Sequence, residues 1–178
     1  MSGIPVKPAS RQMIWTLVHK IRRALDIDNE LYFDIIWFVE KIMPQIFTDF
    51  TFAVLPNEEL GKQHGKAIPD EKKIYIREDV YEGACTGNGR DRLTIAHEVG
   101  HFFMHGNASI EYCRTAPGEK LPAYRDSDWQ ADVFGGELLT PTYLIEGMSA
   151  EQIHECCVVS LQCANAQLRA LACEKAKQ

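Results

Sequence analysis

The sequence predicts an α+β fold, mainly helical, with a small antiparallel β-sheet packed on a central helix. Three observations carry this reading. Apolar residues recur at helical spacing over most of the chain, only two short runs look like strands, and glycines and prolines separate the two kinds of segment. With 178 residues, 46% of them hydrophobic and 25% charged, the chain is long enough to bury roughly 70% of its unfolded surface. One domain, or at most two small ones, fits that length.

Ser10 is placed to cap a first helix in which Ile14, Leu17, Val18, Ile21 and Leu25 share a face, ended by the polar run Asp26 to Glu30. A second helix is expected over Tyr32 to Met43, with Pro44 as its stop. Phe50 to Leu55 and Lys73 to Ile76 read as the two strands, separated by Pro56, Gly61, Gly65 and Pro69. Gly83 to Gly89 reads as a loop, and Asp91 starts a helix that runs at least to His105. Residues 106–126 are expected to form a long surface segment, followed by a helix from Asp126 to Leu139 that stops before Pro141. Ser149 and Ser160 then cap two last helices, through Cys157 and Ala172. The expected division is 1–49 for N-terminal helices within the same compact unit, 50–145 for the core and 146–178 for a C-terminal helical pair.

Lys and Arg number 19 against 25 Asp and Glu, a net charge of −6 without a basic run. Direct nucleic-acid binding is not expected from such a chain, because phosphate contacts need clustered cations. The last two helices resemble a helix-turn-helix in spacing, but the second carries too few basic residues to read DNA. The six cysteines form no C-x-x-C pair, and Cys156, Cys157 and Cys163 are expected to be buried core thiols. With no apolar leader and no membrane-length apolar run, a cytoplasmic protein that does not engage a membrane is expected.

The chemistry lies in His97-Glu98-Val99-Gly100-His101, an H-E-x-x-H motif with apolar flanks. On a helix, residues four apart lie about 40° from each other and roughly 6 Å along the axis, so His97 and His101 can grip one ion. Glu98 projects beside them, where its carboxylate can reach a metal-bound water as general base without coordinating the metal. His105 is another four residues on, about 12 Å from His97, too far to share the ion comfortably. It is expected to pack or hydrogen-bond at the helix end, where a positive charge would suit the dipole. The third ligand is sought in Asp126-Ser127-Asp128-Trp129-Gln130-Ala131-Asp132, with Asp128 assigned to the metal and Asp132 to a hydrogen bond that orients a ligating histidine. Asp126 and Glu137 are weaker candidates. Tyr75, Tyr112, Tyr124, His64 and His154 are candidates for stabilising an oxyanion.

These residues resemble the ImmA/IrrE metallopeptidases of bacteria, their phages and mobile elements. The resemblance rests on Arg92 to His105, read as RLTIAHEVGHFFMH, and on Asp128-x-x-Ala131-Asp132-x-Phe134-x-x-Glu137-Leu138-Leu139-x-Pro141, with coverage from about residue 50 onward. It implies a zincin-like fold with a gluzincin-like Zn2+ site. His97, His101 and Asp128 would be ligands and Glu98 the catalytic base. It also implies a cytosolic endopeptidase that cleaves a partner repressor of the helix-turn-helix type, relieving repression. The family more often has Glu at the third ligand. Asp128 is one methylene shorter, which calls for either closer helices or a looser ligand. The competing expectation is a non-proteolytic zinc-containing module, of the toxin–antitoxin or phage-immunity kind, that sequesters its partner.

Overall fold

The computed structural model describes residues 4–106 and 121–177. Helix α1, Arg11–Ala24, begins where the Ser10 side chain accepts the Met13 amide, and it buries Ile14, Trp15 and Val18. It ends short of Asp26, whose φ of 56° is left-handed. The second helical run departs from expectation at both ends. It begins at Ile35 because the Asp34 side chain accepts the Trp37 amide there. It also passes through Pro44, as α2 (Ile35–Trp37), a π-helical turn (Phe38–Ile42) and α3 (Met43–Ile46). In the π turn the Met43 amide bonds back to Phe38. The wider coil accommodates a proline ring that would clash in an α-helix.

The sheet has three strands, β1 (Thr51–Leu55), β2 (Gly65–Ile68) and β3 (Lys73–Arg77), in the order β1-β3-β2. It is mixed, which corrects the antiparallel sheet expected from the sequence. β1 and β3 run parallel, with Thr51 opposite Lys73 and Leu55 opposite Arg77, and β2 is antiparallel to β3, with Gly65 opposite Ile76. The segment read as a separator itself contains β2, preceded by the short helix α4 (Asn57–Leu60). β2 reverses into β3 through a 3-10 turn, Pro69–Glu71, and the left-handed Lys72. Two reversals between β1 and β3 leave those strands parallel.

Helix α5, Glu78–Cys85, takes in the first three residues of the expected loop, and α6 takes in its last, Gly89. Gly83 lies inside α5, where a Cβ would sit 2.0 Å from Asp91 Oδ2 as that side chain is placed. That glycine serves a close approach, not a turn. Asn88 then caps α6 (Gly89–Met104), Asp126 caps α7 (Ser127–Leu139), and Ser149 and Ser160 cap α8 (Ala150–Cys157) and α9 (Leu161–Lys175). Cys157 and Cys163 are buried as expected, whereas Cys156 is exposed on the outer face of α8. Among the described residues no helix is long and apolar enough to cross a membrane.

The core gathers around α6. Ile74 and Ile76 of β3 are fully buried together with Ile95, Val99, Phe134 and Leu138. Two buried arginines tie outlying segments to this centre. Arg92 on α6 donates to the carbonyls of Phe33 and Val158, and Arg22 on α1 donates to Leu138 O on α7. Both guanidiniums thereby satisfy main-chain acceptors that would otherwise be stranded in the interior. The helices α6 and α7 meet through glycine: a Cβ on Gly100 would lie 3.0 Å from the Ala131 backbone, and one on Gly135 3.0 Å from the backbone of Ala96 and His97.

Gly100→Leu is expected to lower stability by about 1–3 kcal/mol in urea denaturation, by forcing α6 and α7 apart, although Leu is the better helix former. An unchanged or raised midpoint would show that the crossing is not closely packed.

Candidate metal and catalytic site

The α6–α7 crossing brings His97, His101 and Asp128 together. One ligand-type atom from each lies within 4.8 Å of the others, and all three residues are half-buried. His97 Nε2 is 2.9 Å from His101 Nε2, and His101 Nε2 is 3.6 Å from Asp128 Oδ1. These separations bracket the edge of about 3.3–3.4 Å expected between ligands at about 2.05 Å from a tetrahedral ion. Two imidazole nitrogens and a carboxylate oxygen form a donor set that zinc takes in hydrolase sites. The residues present therefore fit a metal ion, and the close helix crossing brings the Asp128 carboxylate within 3.6 Å of His101.

Each partner of the cluster is itself held. Asp126 caps α7 with its side chain accepting the Asp128 and Trp129 amides, so it serves the helix and not the cluster. Asp132, one turn beyond Asp128, accepts from His97 Nδ1 at 2.7 Å. That bond leaves Nε2 of a neutral His97 ring bare toward the cluster. Burial, the largest single influence, pulls the His97 pKa down, but the carboxylates of Asp132, Glu98 and Asp128 outweigh it and the net shift is upward. His101 is pushed down to about 3 by burial and then by His97 and His105, so it is neutral, the state a ligand requires.

Glu98 points to the sheet. Burial raises its pKa, and the nearby Ala67 amide of β2 only partly offsets this. Gly65 makes room for it, since a Cβ there would lie 2.8 Å from Glu98 Cγ. Gly65 and Ala67 were not singled out by the sequence, although a glycine next to a strand is a known sign of close backbone approach. His105 caps the end of α6 and is buried, with Nδ1 2.9 Å from His101 Nδ1 and Nε2 3.0 Å from Gln130 Oε1. It hydrogen-bonds, as expected, but burial lowers its pKa. The helix-end charge expected of it is therefore absent.

Glu137 belongs to a separate cluster. It is fully buried, where Oε1 lies 2.6 Å from His19 Nε2 and accepts from the amide and hydroxyl of Thr142. The oxyanion candidates scatter. Tyr75 is on the face of β3 opposite Ile74 and Ile76, away from α6. His154 bonds the Val159 carbonyl at the α8–α9 turn, and Tyr124 lines a groove with Arg11 and Trp129. His64 directly precedes β2 and lies 3.4 Å from an Arg90 guanidinium nitrogen. Tyr112 lies outside the described residues.

A family model described as the IrrE N-terminal-like domain, peptidase family M78, matches residues 56–156. That is more than half of the chain, and the chain belongs to this family. The matched span includes β2, β3, α6 and α7, and thus every residue of the cluster. No curated protein matches the chain.

In equilibrium dialysis the wild-type chain is expected to take up one zinc ion and His101→Ala none, with circular dichroism showing that the variant keeps its helices. Equal uptake by both would place the metal elsewhere. Burial raises the Glu137 pKa, so the folded chain holds that proton more firmly than the unfolded chain, and the carboxylate's cost to stability grows as pH rises through the interval between the two values. The stability difference between wild type and Glu137→Gln should accordingly shift against the wild type as pH rises above the ordinary carboxylate range in urea melts. A difference independent of pH would contradict a raised pKa.

Proposed function

We propose that this member of the IrrE N-terminal-like peptidase family is a zinc-dependent endopeptidase that cleaves a partner helix-turn-helix repressor and so relieves repression. The observation that carries the catalytic part is the division of labour at the α6–α7 crossing. His97, His101 and Asp128 converge on one point, while the neighbouring Glu98 carboxylate lies against Gly65 of β2 and stays out of the cluster.

His97, His101 and Asp128 would hold the zinc ion. When bound, the ion supplies Lewis acidity for the scissile carbonyl and lowers the pKa of its water toward about 7. Glu98 takes up the proton released as the water attacks and returns it to the leaving amine. Burial suits it to both halves of that task, because its raised pKa brings it closer to neutrality. β2 is one of the two edge strands of the described sheet and directly adjoins Glu98, so an extended substrate backbone can align beside it through main-chain hydrogen bonds.

The choice of a repressor as substrate follows from the family resemblance and from the charge of the chain. An acidic protein of net charge −6 is poorly suited to touch DNA itself. It would act on transcription through a protein that does.

Glu98→Gln is expected to keep zinc while slowing cleavage of the cognate repressor by about 10²–10⁴-fold, read as fragments on a gel. Wild-type cleavage by this variant would remove Glu98 from the mechanism. A stable wild-type complex with an uncut repressor would instead identify a sequestering module.

A further inference from the structure

We propose that Gln130 and His105 are positioning residues that fix the tautomer of His101 and so aim its Nε2 lone pair at the metal. This rests on the metal-site reading above and deepens it.

The direction of the chain of hydrogen bonds follows from donor and acceptor arithmetic. The Gln130 Nε2 atom lies 2.9 Å from Lys7 O and 2.8 Å from Tyr124 O. Both are main-chain carbonyls, which only accept, so that end of the amide is the NH2 group and Oε1 is the end that faces His105 Nε2 at 3.0 Å. An amide oxygen cannot donate, and His105 Nε2 must therefore carry a proton. In a neutral ring His105 Nδ1 is then bare. It lies 2.9 Å from His101 Nδ1, and the single proton between the two belongs to His101. A neutral His101 with a proton on Nδ1 has its lone pair on Nε2, the atom 2.9 Å from His97 Nε2 and 3.6 Å from Asp128 Oδ1.

Nothing in this chain can run backwards without making a carbonyl a donor. A cationic His105 would be a buried charge close to the position of a divalent ion, without a carboxylate to offset it at either of its hydrogen bonds. Gln130 is 2% exposed and His105 7% exposed, so water does not readily substitute for either link. His97 receives the same orientation from a different source, the Asp132 carboxylate, whose side chain is 68% exposed. The Nδ1 protons of the two histidines are thus held by two routes, one ending on a solvated carboxylate and the other on two buried main-chain carbonyls.

Long-range proton–nitrogen couplings in the 15N-labelled, zinc-free wild-type protein report which ring nitrogen is protonated. The expected result is Nδ1–H for His101 and Nε2–H for His105, and a proton on His101 Nε2 overturns the proposal. Two variants extend the test. Asn has an oxygen near the place of the imidazole Nδ1, so His105→Asn keeps the acceptor, whereas His105→Phe keeps ring volume without it. Zinc affinity should fall about 10–100-fold in His105→Phe and be largely restored in His105→Asn. If Phe binds zinc like the wild type, or Asn is no better than Phe, the relay is wrong. A wild-type chain that binds no zinc would overturn the metal-site reading instead, while the coupling measurement still decides the relay.

Discussion

Two glycines, one on each of the crossing helices, set the distance on which the site depends. Gly100 faces Ala131 and Gly135 faces Ala96 and His97, each with room for hydrogen but not for a methyl group without displacement. Backbones held this close shorten the reach from α7 to the histidines of α6. That short reach suits the short Asp128 side chain, whose Oδ1 lies 3.6 Å from His101 Nε2. Packing density in a core thus becomes ligand geometry, since helices that cannot spread keep their side-chain tips in register.

The rest of the fold keeps that crossing from shifting. Gly89, at the start of α6, has no space for a Cβ because the Val159 and Ser160 backbone lies against it, and Arg92 binds the neighbouring Val158 carbonyl. The α8–α9 turn is thereby fastened to the N-terminal end of α6, while Arg22 fastens α1 to the C-terminal end of α7. On the other side, Gly65 of β2 leaves room for Glu98 against the sheet. Burial there raises the carboxyl pKa, which suits a group that takes up and returns a proton.

Much of the site was legible because it is local. His97, Glu98 and His101 lie within one helical stretch, and Asp128 and Asp132 within another, so the 3.6-residue period alone puts each set on one face. What escaped the sequence depends on contacts distant along the chain. The residues Gly-Lys-Ala-Ile of β2 lack alternation and form a strand by pairing with β3. Missing that strand made the sheet look antiparallel. Gly83 and Gly89 looked like loop residues, yet both sit in helices where Asp91 and the α8–α9 turn come too close for a side chain. The His105–Gln130 bond spans 25 residues, and its polarity is set by carbonyls of Lys7 and Tyr124. No spacing rule encodes such a link.

In the proposed enzyme the glycine-spaced crossing makes His97, His101 and Asp128 a complete protein ligand set, with Glu98 left free. Anomalous difference density in crystals of the zinc-loaded protein tests it most directly. One peak should lie about 2.0–2.2 Å from His97 Nε2, His101 Nε2 and an Asp128 carboxylate oxygen, with the Glu98 carboxylate outside bonding distance. A zinc ion bound by Glu98, or bound by the histidines with Asp128 turned away, would contradict it.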